Sequence, residues 1–96
     1  MYIISLTYIV DLKEVDKLLP KHIEYLQNQY EKGNFIASGR KIPRIGGIIF
    51  SKINNLQKLE EILEQDPFKI NNLAKYEIQK FIPSMTSDEF VNLKEE

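Results

Sequence analysis

Residues 2–10, Tyr-Ile-Ile-Ser-Leu-Thr-Tyr-Ile-Val, run without a glycine, a proline or a charge. β-Branched and aromatic residues suit a pleated surface, so this stretch predicts a strand. Apolar side chains fall on both sides of the pleat, and a strand of that kind needs cover on both faces. A chain of 96 residues makes one domain with one core. Its own helices can cover one face of a sheet, and the other face needs a second source of cover.

The rest of the chain is punctuated so that one order of elements results. Asp11 can cap a helix, and Glu14 lies at capping-box spacing from it. Val15, Leu18, His22, Leu26 and Tyr30 recur at three- and four-residue steps and define the apolar side of that helix. Pro20 removes a donor and crowds the preceding turn, which predicts a kink or a restart with His22 in the new first turn. Gly33 follows as the residue after the helix end. Residues 35–39 and 47–53 read as strands paired through the Gly- and Pro-rich loop between them. Asn54 or Asn55 can cap a second helix with Leu56, Leu59, Ile62 and Leu63 as its stripe, ending near Asp66-Pro67. Residues 73–82 predict a fourth strand, with Tyr76, Ile78 and Ile82 on one side and Lys75, Glu77 and Gln79 on the other. Pro83 stops it.

Strand-helix-strand-strand-helix-strand with right-handed crossovers gives an α+β, ferredoxin-like βαββαβ plait: a four-stranded antiparallel sheet with two helices on one face. The domain spans residues 1–83, and 84–96 is a polar tail, a short helix or an arm. The open sheet face is most cheaply covered by a second copy, which predicts a homodimer.

Composition narrows the function. The net charge is −1, which gives no general pull toward nucleic acid or an anionic membrane. The third strand, Gly-Gly-Ile-Ile-Phe-Ser-Lys-Ile, lacks the basic-aromatic signature of an RNA-recognition motif. With no cysteine and one histidine there is no thiolate site, no disulfide and no metal-ligand spacing. No dinucleotide, flavin or phosphate-loop motif occurs, so no cofactor is expected. No apolar run approaches the ~20 residues of a membrane span, and no signal peptide is evident. The expectation is a cytoplasmic protein.

Chemistry can come from few places. His22 is the lone imidazole, on an apolar helix side, and its ordinary pKa of about 6.5 suits general acid or base work if a partner orients it. A lone histidine on such a face is also, often, simply a satisfied core residue. Asp66 is the candidate partner, although Asp-Pro is equally a common helix-ending turn. Arg40, Lys41 and Arg44 form the one local basic cluster, able to hold a carboxylate or phosphate or to be a solvated hairpin loop. Ser5, Thr7 and Ser38 can line a pocket, and Tyr8, Tyr25, Tyr30 and Phe68 can wall one or fill the core. No nucleophile-elbow pattern supports a Ser-His-Asp reading.

Taken together, His22 after Leu19-Pro20, Tyr30-x-x-Gly33, Phe35-x-x-Ser38-Gly39, Pro43-Arg44-x-Gly46-Gly47 and Asp66-Pro67-Phe68 resemble the YciI-like proteins. These belong to the dimeric α/β-barrel group of ferredoxin-like folds, and the match runs from Met1 to about Pro83. The resemblance implies stacked sheets in a dimer, a cleft near the start of the first helix, and a His-Asp active site carried by His22 and Asp66. The family commonly has Gly-Pro after its second strand. Gly39-Arg40 stands here, which makes the rim more basic. One relative removes chloride from a chlorinated hydroxyquinol. The expectation is therefore an enzyme without a cofactor, in which His22 and Asp66 carry proton transfer or elimination on a small anionic or aromatic substrate. Arg40, Arg44, Ser38 and Phe68 are its expected substrate contacts. The competing reading is a non-catalytic dimeric module that binds a small ligand or assists another enzyme.

Overall fold

β1 (Tyr2–Tyr8) is the second-from-edge strand of a sheet in the order β2-β3-β1-β4, where β2 is Phe35–Arg40, β3 is Gly46–Ser51 and β4 is Ala74–Lys80. The computed structural model describes residues 1–95. All three strand pairings are antiparallel. The helices α1 (Leu12–Glu31), α2 (Leu56–Leu63) and a short α3 (Pro67–Ile70) accompany the sheet, and a 3-10 turn spans Asp88–Leu93 in the tail. This is the ferredoxin-like α+β arrangement that the element order predicts.

Pleating assigns the faces. Tyr2, Ile4 and Leu6 of β1 are buried, with Ile49 of β3 opposite Ile4. Val15, Leu59, Leu63 and Phe68 come down on them, each at most 1% exposed. Burying a side chain of this size contributes about 1.5–3 kcal/mol relative to leaving it in water, so this face holds the fold together. Ile3, Ser5 and Thr7 point to the opposite face, where Ile48 and Phe50 lie and all five are only partly covered. Strand 1 is thus apolar beneath the helices and mixed on the open side. Tyr8 belongs to the helix side, with its ring edge-on to Phe68.

Several local expectations are modified by packing. Pro20 neither breaks nor restarts α1, which is continuous over its 20 residues. An internal proline costs about 3 kcal/mol or more. Its ring is on the exposed side, and the buried Val15, His22, Tyr25 and Gln29 hold both halves of the helix to the same surface. Asp11 occupies the cap position, but its side chain makes no cap bond, and Glu14 turns instead to Lys17 at 3.0 Å. Gly33 ends α1 at φ +75°, a conformation that costs glycine nothing. Asn55 caps α2 by accepting the Lys58 N–H at 2.9 Å. The chain does not simply stop at Asp66-Pro67. Asp66 caps a new helix, α3, with Pro67 as its first residue, where its missing N–H leaves no bond unmade. No described helix is long and apolar enough to cross a membrane.

Candidate functional site

α1 brings His22 to the inner surface because position 22 lies in step with Val15, Tyr25 and Gln29, the other buried residues of that helix. α3 brings Asp66, because a cap residue holds its carboxylate over the first turn of its own helix. The two side chains meet, with His22 Nδ1 2.8 Å from Asp66 Oδ1. The Phe68 N–H donates to the same oxygen at 3.0 Å, and the Tyr76 hydroxyl of β4 donates to Oδ2 at 2.5 Å. Asp66 is fully buried. Removing a carboxylate from water costs several kcal/mol, which is offset only when its lone pairs are met. Here three donors from α1, α3 and β4 converge on an acceptor-only group, which suits a carboxylate and leaves Nδ1 of the imidazole as the donor.

Aromatic rings fix the imidazole plane. Phe68 stacks on His22 with centroids 3.9 Å apart and planes 6° from parallel. Tyr25 flanks the imidazole at 6.3 Å, and its hydroxyl is spent on the Ile62 carbonyl at 2.8 Å. Burial first, and then the Asp66 charge, push the Tyr76 and Tyr25 hydroxyls well above the ordinary phenol value. Tyr76 therefore stays a donor to the carboxylate through the neutral range.

In front of His22 lies a cleft of about 160 Å³ between α1 and the β1-β3-β2 side of the sheet. Its walls are mostly apolar, among them Leu6, Leu19, Ile23, Leu26 and Phe68. Nδ1 is engaged by Asp66, so Nε2 is the nitrogen of this cleft-lining ring left for a ligand. A base or acid at that atom, backed by a buried carboxylate, can take up and return a proton.

The structure brings together five of the six expected site residues. His22, Ser38, Arg40 and Phe68 line the cleft. Asp66 stands behind His22, out of reach of solvent. Arg44 is not brought in. It forms an ion pair with Asp16 of α1 at 2.5 Å, beside Tyr8. Lys41 is directed to the opposite face, where it donates to Thr7 Oγ1 at 3.1 Å. The Ser38 hydroxyl is hydrogen-bonded to that of Tyr30. Tyr76 is the residue that sequence reasoning missed. Its alternation on β4 shows that it points inward, but no spacing ties it to a helix cap ten positions earlier. Among the described residues, no group of three or more histidine and carboxylate side chains is placed to hold a metal ion.

The family profile described as YCII-related domain matches residues 1–82. No curated protein sequence matches this one. Among solved structures, a 5-chloro-2-hydroxyhydroquinone dehydrochlorinase from Burkholderia phenoliruptrix, in complex with 2,5-dihydroxybenzoquinone, superposes with a TM-score of 0.70. It is 14% identical, and the match covers 84% of this chain and 93% of that one. At this identity the likeness is one of fold.

Proposed function

We propose, from the premise that this chain belongs to the YCII-related family, that it is a small-molecule enzyme in which His22 moves a proton. The observation that carries the reading is the fully buried Asp66 held by three donors, one of them His22 Nδ1. With Nδ1–H donated to the carboxylate, Nε2 carries the lone pair and acts as the base. It takes a proton from a substrate O–H or C–H, and the resulting imidazolium is stabilised by Asp66. The proton then returns to another atom of the substrate, which is an isomerisation. Alternatively, the electron pair left behind expels a leaving group as an anion and His22 gives its proton to water, which is an elimination. Dehydrochlorination, the activity named for the structural relative, is of the second kind. Ser38 and Phe68 meet the substrate body. No step calls for a cofactor.

A second copy completes the molecule in this reading. Ile3, Ile48 and Phe50 leave apolar surface on the open sheet face, and a stacked partner sheet would cover it.

The test uses small acids, phenols and chlorinated hydroxyquinols in D2O. Deuterium incorporation and anion release are followed by NMR for the wild type and for His22→Gln. A positioned general base contributes about 10²–10⁴-fold, and the variant should lose that factor. Equal rates in both proteins would remove His22 from the chemistry.

A further inference from the structure

The three cations of the hairpin have different partners. Arg44 is fastened to Asp16, and Lys41 is bonded to Thr7 on the far face of the sheet. Arg40 makes no ion pair and no side-chain hydrogen bond among the described residues, although the chain has 14 acidic residues. It nevertheless lines the cleft that holds His22.

Arg40 is exposed at the rim of the cleft, and what lies beside it suits a ligand. Arg40 ends the edge strand β2 and pairs across to Gly47, so no side chain opposes it on β3. Gly46 follows suit for a packing reason, since a Cβ there would sit 1.7 Å from the Leu6 carbonyl oxygen. The floor next to Arg40 is therefore bare backbone. Beyond it the cleft is walled by aliphatic and aromatic side chains. A charge held at the edge of such a low-dielectric hollow is screened less than one on an open surface. A guanidinium also presents a planar fork of donors that a carboxylate matches with two bonds.

We infer that Arg40 is the specificity-determining residue of the cleft, and that the substrate is a small organic carboxylate. Its anionic end lies at Arg40, its apolar body lies along Leu19, Ile23 and Phe68, and its reacting proton lies at His22 Nε2. Arg44 is a fastener of the hairpin to α1 and takes no part in this selection. The last of the substrate's three placements rests on the proton-transfer reading. The first two stand without it.

Benzoate and its neutral isostere benzamide are the probes, with the ring signals of the single histidine as reporter. The proteins are the wild type, Arg40→Gln, Arg44→Gln and His22→Gln, the last followed through its backbone amide signals. Benzoate should bind the wild type at least tenfold more tightly than benzamide, and added salt should erode the difference. Arg40→Gln should abolish the preference, while Arg44→Gln and His22→Gln should keep it. Equal binding of both probes, binding of neither, or a preference that survives Arg40→Gln would overturn the inference. Turnover lost in His22→Gln is a separate readout, so the proton-transfer reading and the assignment of Arg40 can fail independently.

Discussion

The His22 imidazole lies flat on the Phe68 ring, 3.9 Å between centroids and 6° from parallel, while its edge is held by the carboxylate two residues before that phenylalanine. Asp66 and Phe68 thus work from the same turn, one fixing the ring's rotation and the other its plane. Phe68 is 1% exposed, so replacing it with leucine keeps the site apolar at a cost of about 1–3 kcal/mol for the ring carbons lost. The ring-current displacement of the His22 carbon-bound protons should disappear in Phe68→Leu. A spectrum unchanged at His22 would mean the stacking is not held in solution.

Asp66→Asn tests the carboxylate itself. The amide has one acceptor oxygen where three donors converge, so a buried donor goes unmet at a cost of about 1–3 kcal/mol. Imidazole ¹⁵N shifts should show the proton on Nδ1 in the wild type and a mixture of tautomers in the variant. Chemical denaturation gives the stability loss. A wild type that already shows mixed tautomers would contradict the Nδ1–H donation.

Tyr76→Phe removes the donor to Asp66 Oδ2 without touching His22. A hydrogen bond to a charged group is worth about 1.5–3 kcal/mol, and that is the expected loss in denaturant unfolding. If Tyr76 positions the carboxylate, the rate of the proton-transfer step should fall while the benzoate affinity stays as in the wild type. Equal losses in both would assign Tyr76 a purely structural role.

Alkaline pH should loosen the fold in a way that can be traced to tyrosines. The folded Tyr25 and Tyr76 hydroxyls are raised above the ordinary value of 10.0, first by burial and then by the Asp66 charge. Below that value both the folded and the unfolded chain keep these protons, and stability does not vary on their account. Above it the unfolded chain releases protons that the folded chain retains. Stability then falls by about 1.4 kcal/mol per pH unit for each tyrosine. The slope of unfolding free energy between about pH 11 and 12, where the unfolded tyrosine is fully ionised, should be shallower in Tyr76→Phe by one such increment.

The open sheet face offers Phe50 at its centre, opposite Ile3 of β1 and Ala37 of β2. Sedimentation velocity should give a dimer for the wild type. Phe50→Glu, which places a charge on that face and leaves the helix side untouched, should give a folded monomer. A wild-type monomer, or a dimer unaffected by the glutamate, would move the interface elsewhere.

Much of this protein follows from local rules that operate within a few residues. The element order, the Asn55 cap, the left-handed Gly33 and the inward side of α1 are set by hydrogen bonds and periodicities that close over one to four positions. His22 and Asp66 could be paired from sequence only through a family resemblance, since 44 residues separate them and no spacing implies contact. Tertiary packing decided the rest. The common surface under α1 carried the helix straight through Pro20. The restart of the chain as α3 turned Asp66 from a helix-ending residue into a cap that faces three donors. The register of β4 delivered Tyr76 to that carboxylate, and the fold of the hairpin gave Arg44 to Asp16 while leaving Arg40 at the cleft. Periodicity determines which way a side chain points. What it meets depends on how distant elements slide and stack, and the burial of the whole core sets that.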